Sequence, residues 1–466
     1  MIAIGCALLG AIGFYFSIGL GDQWWLAWLA PIPVLWFAFG QTKYWQAFLV
    51  AFFAFALGSS NLLRAYGGVM PLPMMILILS GPALVFAIPV LAAKRVQQSF
   101  GNIVAMFAFA ALWAGIDLAS SFGAAGGAVS SPSSAGIGAP VFMQTASLVG
   151  FVGVTFLLGA VAAGIAASLR SKSPAPAAIA IALFAANTVF GAIRMSAAPA
   201  GTLHVALIES DHAVGKFQQD DKAATMKAID AYAAEIEKLR GKNVKLIVLP
   251  ENISKVAPAW RGEAQDKLAN AAADAGATLV AGFNTPVDGA QRNVSWAFTP
   301  GETVPVTYQK RRLIPGLESR FFAPGKKPGI LPNGIGLEIC KDMDFHAMIR
   351  SDAAATHPSL LAVPAWDFHI DDWSHGRVAI MRSVENGVPM ARTARDGLMT
   401  LNDRYGRIVA RAGTTGPFQT VIGDLPLDGR GGNTIYDRIG DVFGWLCLVL
   451  GIAATVLAVF KTKKAA

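Results

Sequence analysis

Along the first 200 positions apolar residues do not alternate with polar ones; they run on. Eight stretches approach the roughly 20 apolar residues that a spanning helix needs: 2–20, 24–39, 45–63, 72–93, 103–120, 141–169, 175–193 and, much later, 442–460. The second is short and carries Pro31 and Pro33, which predicts a kink or a tilt. The first lacks a basic leading segment and is followed by further apolar runs, so it reads as a retained helix and not as a cleaved signal. From about Thr202 to Arg438 the pattern changes to short strand-like runs separated by helical periods. "LHVALIE" is followed by a helix over 221–241 that ends at a glycine, "VKLIVLPE" by a helix through "EAQDKLANAAADAG", and then comes "TLVAGFN". "VSWAFTPGETVPVTYQK" reads as a hairpin turning at Pro300–Gly301. "GIGLEIC" and "SLLAVPAW" add strands, "HGRVAIMRSVENG" a helix, and "PMARTARDGLMTLNDRYGRIVARA" a further hairpin. Strands bounded by helices, with hairpins among them, predict an α/β sandwich of mixed sheets.

The expected organisation is therefore a seven-helix membrane domain over 1–197, a folded polar domain over 198–438, and a last spanning helix with a basic tail over 439–466. Composition supports the division. The chain is 54% hydrophobic and 15% charged, where soluble proteins have about a quarter of their residues charged. The deficit is local: up to Ala200 the charged residues are Asp22, Lys43, Arg64, Lys94, Arg95, Asp117, Arg170, Lys172 and Arg194. If eight helices span, Lys43, Lys94–Arg95, Arg170 with Lys172, and the tail "KTKK" (461–464) fall on one side. The positive-inside rule makes that side cytoplasmic, with Arg64 and Arg194 as single exceptions. The polar domain, 198–438, then faces the periplasm or the cell exterior. A net charge of +8 is dispersed among acids in the polar domain, so nucleic acid is not an expected partner. Three cysteines, two of them (Cys6 and Cys447) inside apolar runs, make no disulfide framework. The uncharged, Gly/Ser/Ala-rich segment 120–140 reads either as a flexible linker or as a mobile loop dipping into the membrane surface.

Three residues stand where α/β sheets gather functional groups, at strand ends: Glu251 after "KLIVLP", Lys310 after "VPVTYQ" and Cys340 after "GIGLEI". Each has a plain structural reading. A glutamate or lysine after a strand is usually solvated, and a lone cysteine is often a small core hydrophobe. Taken together and in this order, the "LPE", "YQK" and "EICKD" contexts resemble the nitrilase (carbon–nitrogen hydrolase) superfamily over about 203–424. That resemblance implies an αββα sandwich and a triad. Cys340 would attack a carbonyl, Glu251 would act as its base, and Lys310, with the backbone N–H after Cys340, would stabilise the oxyanion. A nearby ammonium also favours the thiolate.

The addition of seven helices before this domain and one after it resembles the apolipoprotein N-acyltransferase family. This likeness implies that an acyl chain passes from a phospholipid to Cys340. From there it would reach the α-amino group of a lipid-modified N-terminal cysteine on an apolipoprotein, in a monomer without cofactor. "YQKRRLIPGLES" places Glu318 at the family's second essential glutamate, and "AWDF" with the helix after it resembles the segment following the nucleophile. The chain departs from the family at three places. Lys341–Asp342 stand where Tyr-Glu is usual, "IPGLE" replaces Pro-Phe-Gly-Glu, and "LIESDH" replaces an opening strand ending in Gln-Gly-Asn. These departures bear on the acyl acceptor and on the shape of the lipid pocket.

Two rival readings use the same letters. The triad with water as acceptor would make a membrane-anchored amidase or nitrilase. A transporter or scaffold would need intramembrane charge, for which Asp117 is the one obvious acid. "DFHIDDWSHG" gathers His369, Asp371, Asp372 and His375, but the spacing fits no compact metal site and no metal is expected. It reads as a polar loop at the mouth of the site, with Trp366, Phe368 and Trp373 meeting lipid headgroups.

Overall fold

The computed structural model describes the chain apart from residues 41–42, 69, 124–125, 415 and 464–466. Lys464 of the basic tail and Ala124–Ala125 of the 120–140 segment thus lie outside the described residues. The chain divides into two compact units, Met1–Ala197 with Arg438–Ala466, and Ala198–Asp437.

In the first unit, six helices among the described residues are long and apolar enough to cross a membrane. They are Tyr44–Tyr66, Leu72–Phe100, Asn102–Ser121, Phe151–Ser171, Ala175–Met195 and Val442–Lys461. This is a multi-pass membrane protein, and shorter apolar helices stand beside these six. The first stretch forms a helix of 16 residues, Ile2–Ser17. The second divides into Leu26–Leu29 and Pro31–Gly40, Pro31 starting a new helix where its missing N–H costs nothing. The stretch 141–169 also breaks, at Gly150, whose left-handed φ of 78° ends one short turn before Phe151 begins the spanning helix.

The Gly/Ser-rich segment is packed where it is described. Pro132–Gly138 winds into 3-10 turns with Pro132, Ser133, Ala135, Gly136 and Ile137 buried. The cause is a buried acid. Asp117 Oδ2 accepts hydrogen bonds from Ser131 Oγ and from Thr155 Oγ1, each at 2.7 Å. A carboxylate in an apolar bundle must be hydrogen-bonded, and here it draws the loop onto the helices.

The second unit holds two six-stranded sheets. The first contains β1 (Gly201–Glu209), β2 (Leu246–Val248), β3 (Thr278–Val287), β4 (Ala290–Phe298) and β5 (Val306–Gln309). The second contains β6 (Gly329–Ile330), β7 (Ile335–Leu337), β8 (Leu360–Trp366), β9 (Met390–Arg395), β10 (Leu398–Asn402) and β11 (Ile408–Gly413). The last strand, β12 (Gln419–Leu427), returns to the first sheet beside β1. Each sheet centres on three parallel strands, β1–β2–β3 and β7–β8–β9, and is extended by antiparallel ones. Alternate residues of both sheets, among them Val205, Leu207, Val248, Val280, Leu337, Leu360, Ala362 and Met399, form a core between them. The opposite face of the first sheet packs on the helices Lys222–Glu237 and Arg261–Ala275. Asp372–Asn386 packs on the second sheet, with His346–Thr356 beside it. The layers are therefore α, β, β, α.

Local signals fix most boundaries. Asp221 Oδ1 accepts from Ala224 N at 2.9 Å and caps its helix. Gly276 and Gly387, both left-handed, end theirs. The helix expected to end at Gly241 stops at Glu237, and Gly241, with φ 77°, belongs to the turn after it.

Candidate active site

β2 runs into Leu249–Pro250–Glu251, and this turn lies tightly on β3. A Cβ on Gly282 would come 2.5 Å from the Glu251 Cα, so only glycine lets the strand approach. Glu251 N donates to Ala365 O at 3.2 Å, joining the turn to β8 of the other sheet. Lys310 leaves β5 with its N–H on Asn293 O, 2.9 Å away. Glu318 opens a 3-10 turn, and its Oε2 accepts Ile314 N at 2.9 Å.

These three side chains meet in the interior. Lys310 Nζ lies 2.8 Å from Glu251 Oε1 and 2.8 Å from Glu318 Oε1. Glu251 and Lys310 are each 1% exposed. Asn293 Nδ2 donates to the same two oxygens, at 2.5 Å and 3.2 Å. Burial works against the Lys310 ammonium, but the two carboxylates outweigh it and hold its pKa well above the ordinary lysine value. Burial raises the Glu251 pKa, Lys310 lowers it, and the charge of Glu318 raises it again; the net direction is up. Two acids on one ammonium therefore leave Glu251 with more proton affinity than a simple ion pair would.

Cys340 begins the turn after β7 with φ 44°, in the left-handed region that side chains with a Cβ seldom adopt. Its Sγ lies 3.6 Å from Trp366 O. Burial and the charge of Glu251 raise the thiol pKa well above its usual value, while Lys310 works the other way. The buried pair formed by Arg392 and Asp367, with contacts of 2.9 Å and 2.5 Å, also acts on the thiol.

Asp342 and Asn293 play parts that sequence reasoning missed. Asp342 Oδ1 accepts the N–H groups of Arg311 (3.2 Å) and Arg312 (2.8 Å), directly after Lys310. Its Oδ2 accepts Ile339 N (3.2 Å), directly before Cys340, and Tyr308 OH (2.8 Å). One carboxylate thus fastens the lysine segment to the cysteine turn. The signal for it was the departure after the nucleophile; for Asn293, in the middle of an ordinary strand, there was none. Lys341 pairs with Asp344 at 3.1 Å.

The residues expected to meet lipid separate. Trp366 accepts the Cys340 thiol at its carbonyl, with Nε1 2.8 Å from Asp396 Oδ2 and the Arg395 guanidinium 3.6 Å from the ring centroid. Phe368 is exposed, and Trp373 lies under the Arg411 guanidinium. The polar residues of 369–375 also go different ways. His375 Nε2 is 3.2 Å from Asp371 Oδ2. Burial opposes its charge, but this contact outweighs the burial and raises the imidazole pKa to about 9. His369 turns instead to Asp211 and Asp396.

Residues 9–164 match the model of the apolipoprotein N-acyltransferase N-terminal domain. The chain is 27% identical over 366 residues to an apolipoprotein N-acyltransferase of Bradyrhizobium diazoefficiens, covering 67% of this chain and 66% of that one. The chain is related to the apolipoprotein N-acyltransferases. A second such protein, from Geobacter metallireducens, is 30% identical over 158 residues, 33% of this chain and 29% of the relative. The chain thus spans less than two thirds of the length of these relatives. Among solved structures, an amidase from Nesterenkonia sp. AN1 in complex with butyramide aligns at 20% identity and a TM-score of 0.43, over 53% of this chain and 97% of that one. A CN-hydrolase superfamily protein from Xanthomonas campestris aligns at 20% identity and a TM-score of 0.40, over 48% and 90%.

Proposed function

We propose that this protein transfers a fatty acyl chain from a phospholipid, through a thioester on Cys340, to the α-amino group of an N-terminal diacylglyceryl-cysteine on an apolipoprotein. One observation carries the proposal: a buried ammonium shared by two carboxylates, in a unit whose one cysteine takes a left-handed turn at the end of β7. Glu251 takes the thiol proton as Sγ attacks the ester carbonyl. Lys310 and the backbone N–H of Lys341 stabilise the oxyanion. The ester C–O bond breaks, and the lysophospholipid oxygen leaves with the proton from Glu251. In the second half, the amine attacks the thioester carbonyl, the C–S bond breaks, and Glu251 carries the amine proton back to sulfur. Glu318 keeps Lys310 in place and raises the proton affinity of Glu251. The catalytic unit faces the periplasm from the inner membrane, where lipid donor and acceptor both arrive.

The experiment is mass spectrometry of the purified protein after incubation with phosphatidylethanolamine vesicles. An acyl mass on Cys340, lost on adding a diacylglyceryl-lipopeptide that becomes N-acylated, is the expected result. Active wild-type protein that never carries the adduct would sink the proposal. Free fatty acid as sole product would turn the reading to hydrolysis by the same triad.

A further inference from the structure

We propose that the buried ion pair between Asp367 and Arg392 positions the nucleophile. It fixes the main-chain carbonyl of Trp366, the acceptor of the Cys340 thiol, and thereby the point from which sulfur attacks. Cys340 Sγ lies 3.6 Å from Trp366 O, at the last residue of β8. That carbonyl and the N–H of Asp367 belong to one planar peptide, whose two polar ends point opposite ways. The N–H donates to Arg395 O on β9 at 3.0 Å, so the oxygen faces away from β9 and meets the sulfur. Whatever holds Asp367 therefore aims the acceptor of the thiol.

Asp367 is clamped to β9 a second time, through its side chain. Arg392, on β9 three residues before Arg395, places Nη1 and Nη2 at 2.9 Å and 2.5 Å from the two carboxylate oxygens. A two-pronged contact of this kind fixes orientation as well as distance. Arg392 Nη1 also donates to Leu398 O at 3.2 Å, which ties the pair to the first residue of β10. Space is reserved for it. A Cβ on Gly397 would come 2.6 Å from Asp367 Oδ2, so only glycine lets the β9–β10 turn close over the carboxylate. Asp367 and Arg392 are each 1% exposed.

Stability alone does not account for such a pair. Burying two charges costs their hydration, and apolar residues of similar volume often serve a fold as well or better. Nor does the pair present sulfur with a net charge. After burial, Glu251 and Lys310, Asp367 and Arg392 act on the thiol in opposite senses, the acid raising its pKa and the guanidinium lowering it. Its part is geometric: it keeps one peptide plane in register behind the cysteine turn. The inference rests on Cys340 as the nucleophile of the reaction proposed above, whichever group accepts the acyl chain.

The test compares wild type with Asp367→Asn, Arg392→Met and the double variant, each as the full chain in detergent. The double variant leaves no charge buried alone, so it should melt closer to wild type than Arg392→Met does. If Arg392→Met fails to fold, the other two carry the comparison. The first readout is alkylation of Cys340 by iodoacetamide, followed by mass spectrometry with Cys6 and Cys447 as internal references. A misplaced thiol should react about tenfold or more slowly while the references keep their rates; a chain merely loosened would expose its buried thiols and react faster. The second readout is turnover with phosphatidylethanolamine vesicles and a diacylglyceryl-lipopeptide. Here kcat should fall about tenfold or more with the KM for phospholipid unchanged, and Asp367→Asn, which keeps one acceptor for Arg392, should lose less than the double variant. His204→Ala, at a surface pair with Asp424, should leave both readouts unchanged. Alkylation of Cys340 in the folded double variant as fast as in wild type, or faster, overturns the proposal. A wild type that never acylates defeats the acyl-transfer reading alone, since the alkylation rates still decide on the pair.

Discussion

Two clusters of acids end neighbouring strands of the first sheet, and they are completed differently. After β2, Glu251 and Glu318 hold a lysine that the fold itself delivers from β5. After β1, Glu209 and Asp211 share a hydrogen bond with no lysine between them, and burial together with Asp211 raises the Glu209 pKa to about 9. A buried carboxylate must find a counter-charge or take up a proton. The comparison teaches that the two outcomes stand side by side: the chain supplies a counter-charge at one strand end, and at the next a proton shared between two carboxyls takes its place.

The largest effect should come from removing the internal cation. Lys310→Met leaves two buried carboxylates together, which costs about 3–5 kcal/mol and lowers turnover by about a thousandfold or more. Thermal melts and adduct formation measure both. Adding Glu318→Gln should restore most of the stability and none of the activity. If it restores both, the lysine is structural and the contrast between the clusters collapses. Glu251→Gln keeps the Lys310–Glu318 contact, so its melting temperature should change little, while acylation of Cys340 slows by about 10²–10⁴-fold. Asp342→Ala strands the N–H groups of Ile339, Arg311 and Arg312. It should cost about 1–3 kcal/mol and reduce activity through misplacement, with Asp342→Asn recovering part of both.

The smallest effect concerns His375, whose charge is held by Asp371. Its pKa rises from 6.5 unfolded to about 9 in the folded protein, so its contribution to stability is complete below pH 6.5 and is lost between there and pH 9. Denaturant titrations across that window should show wild-type stability declining, and His375→Gln should flatten the decline. An unchanged slope in the variant would assign the pH dependence elsewhere.

Much of the architecture was legible because its signals are local. Alternating apolar runs marked the parallel strands, and glycines marked two helix ends. Of the residues singled out at strand ends, Lys310 donates to Glu251 and also to Glu318. What was not legible depends on partners distant in the chain. β12 is recognisable only beside β1, more than 200 residues earlier. Asn293 looks like any polar strand residue until Lys310 and Glu251 arrive around it. The 120–140 segment has the composition of a linker, and its packing follows from a single carboxylate, Asp117, that composition ignores. At the amino terminus apolar length does not give the helix bounds: the first stretch forms a helix of 16 residues and the second divides at a proline.

The pairing of β1 with β12 has a consequence for handling the molecule. Gly201 stands opposite Leu427, so the polypeptide leaves the sandwich beside the point where it came in. The whole unit is a single excursion whose two ends are already stapled by a ladder of main-chain bonds, and it behaves topologically as a cassette. Residues 198–437 could be excised as one piece, joined head to tail by a short linker, and reopened at the exposed 299–305 turn without cutting any strand that bears the cysteine, the lysine or their acids.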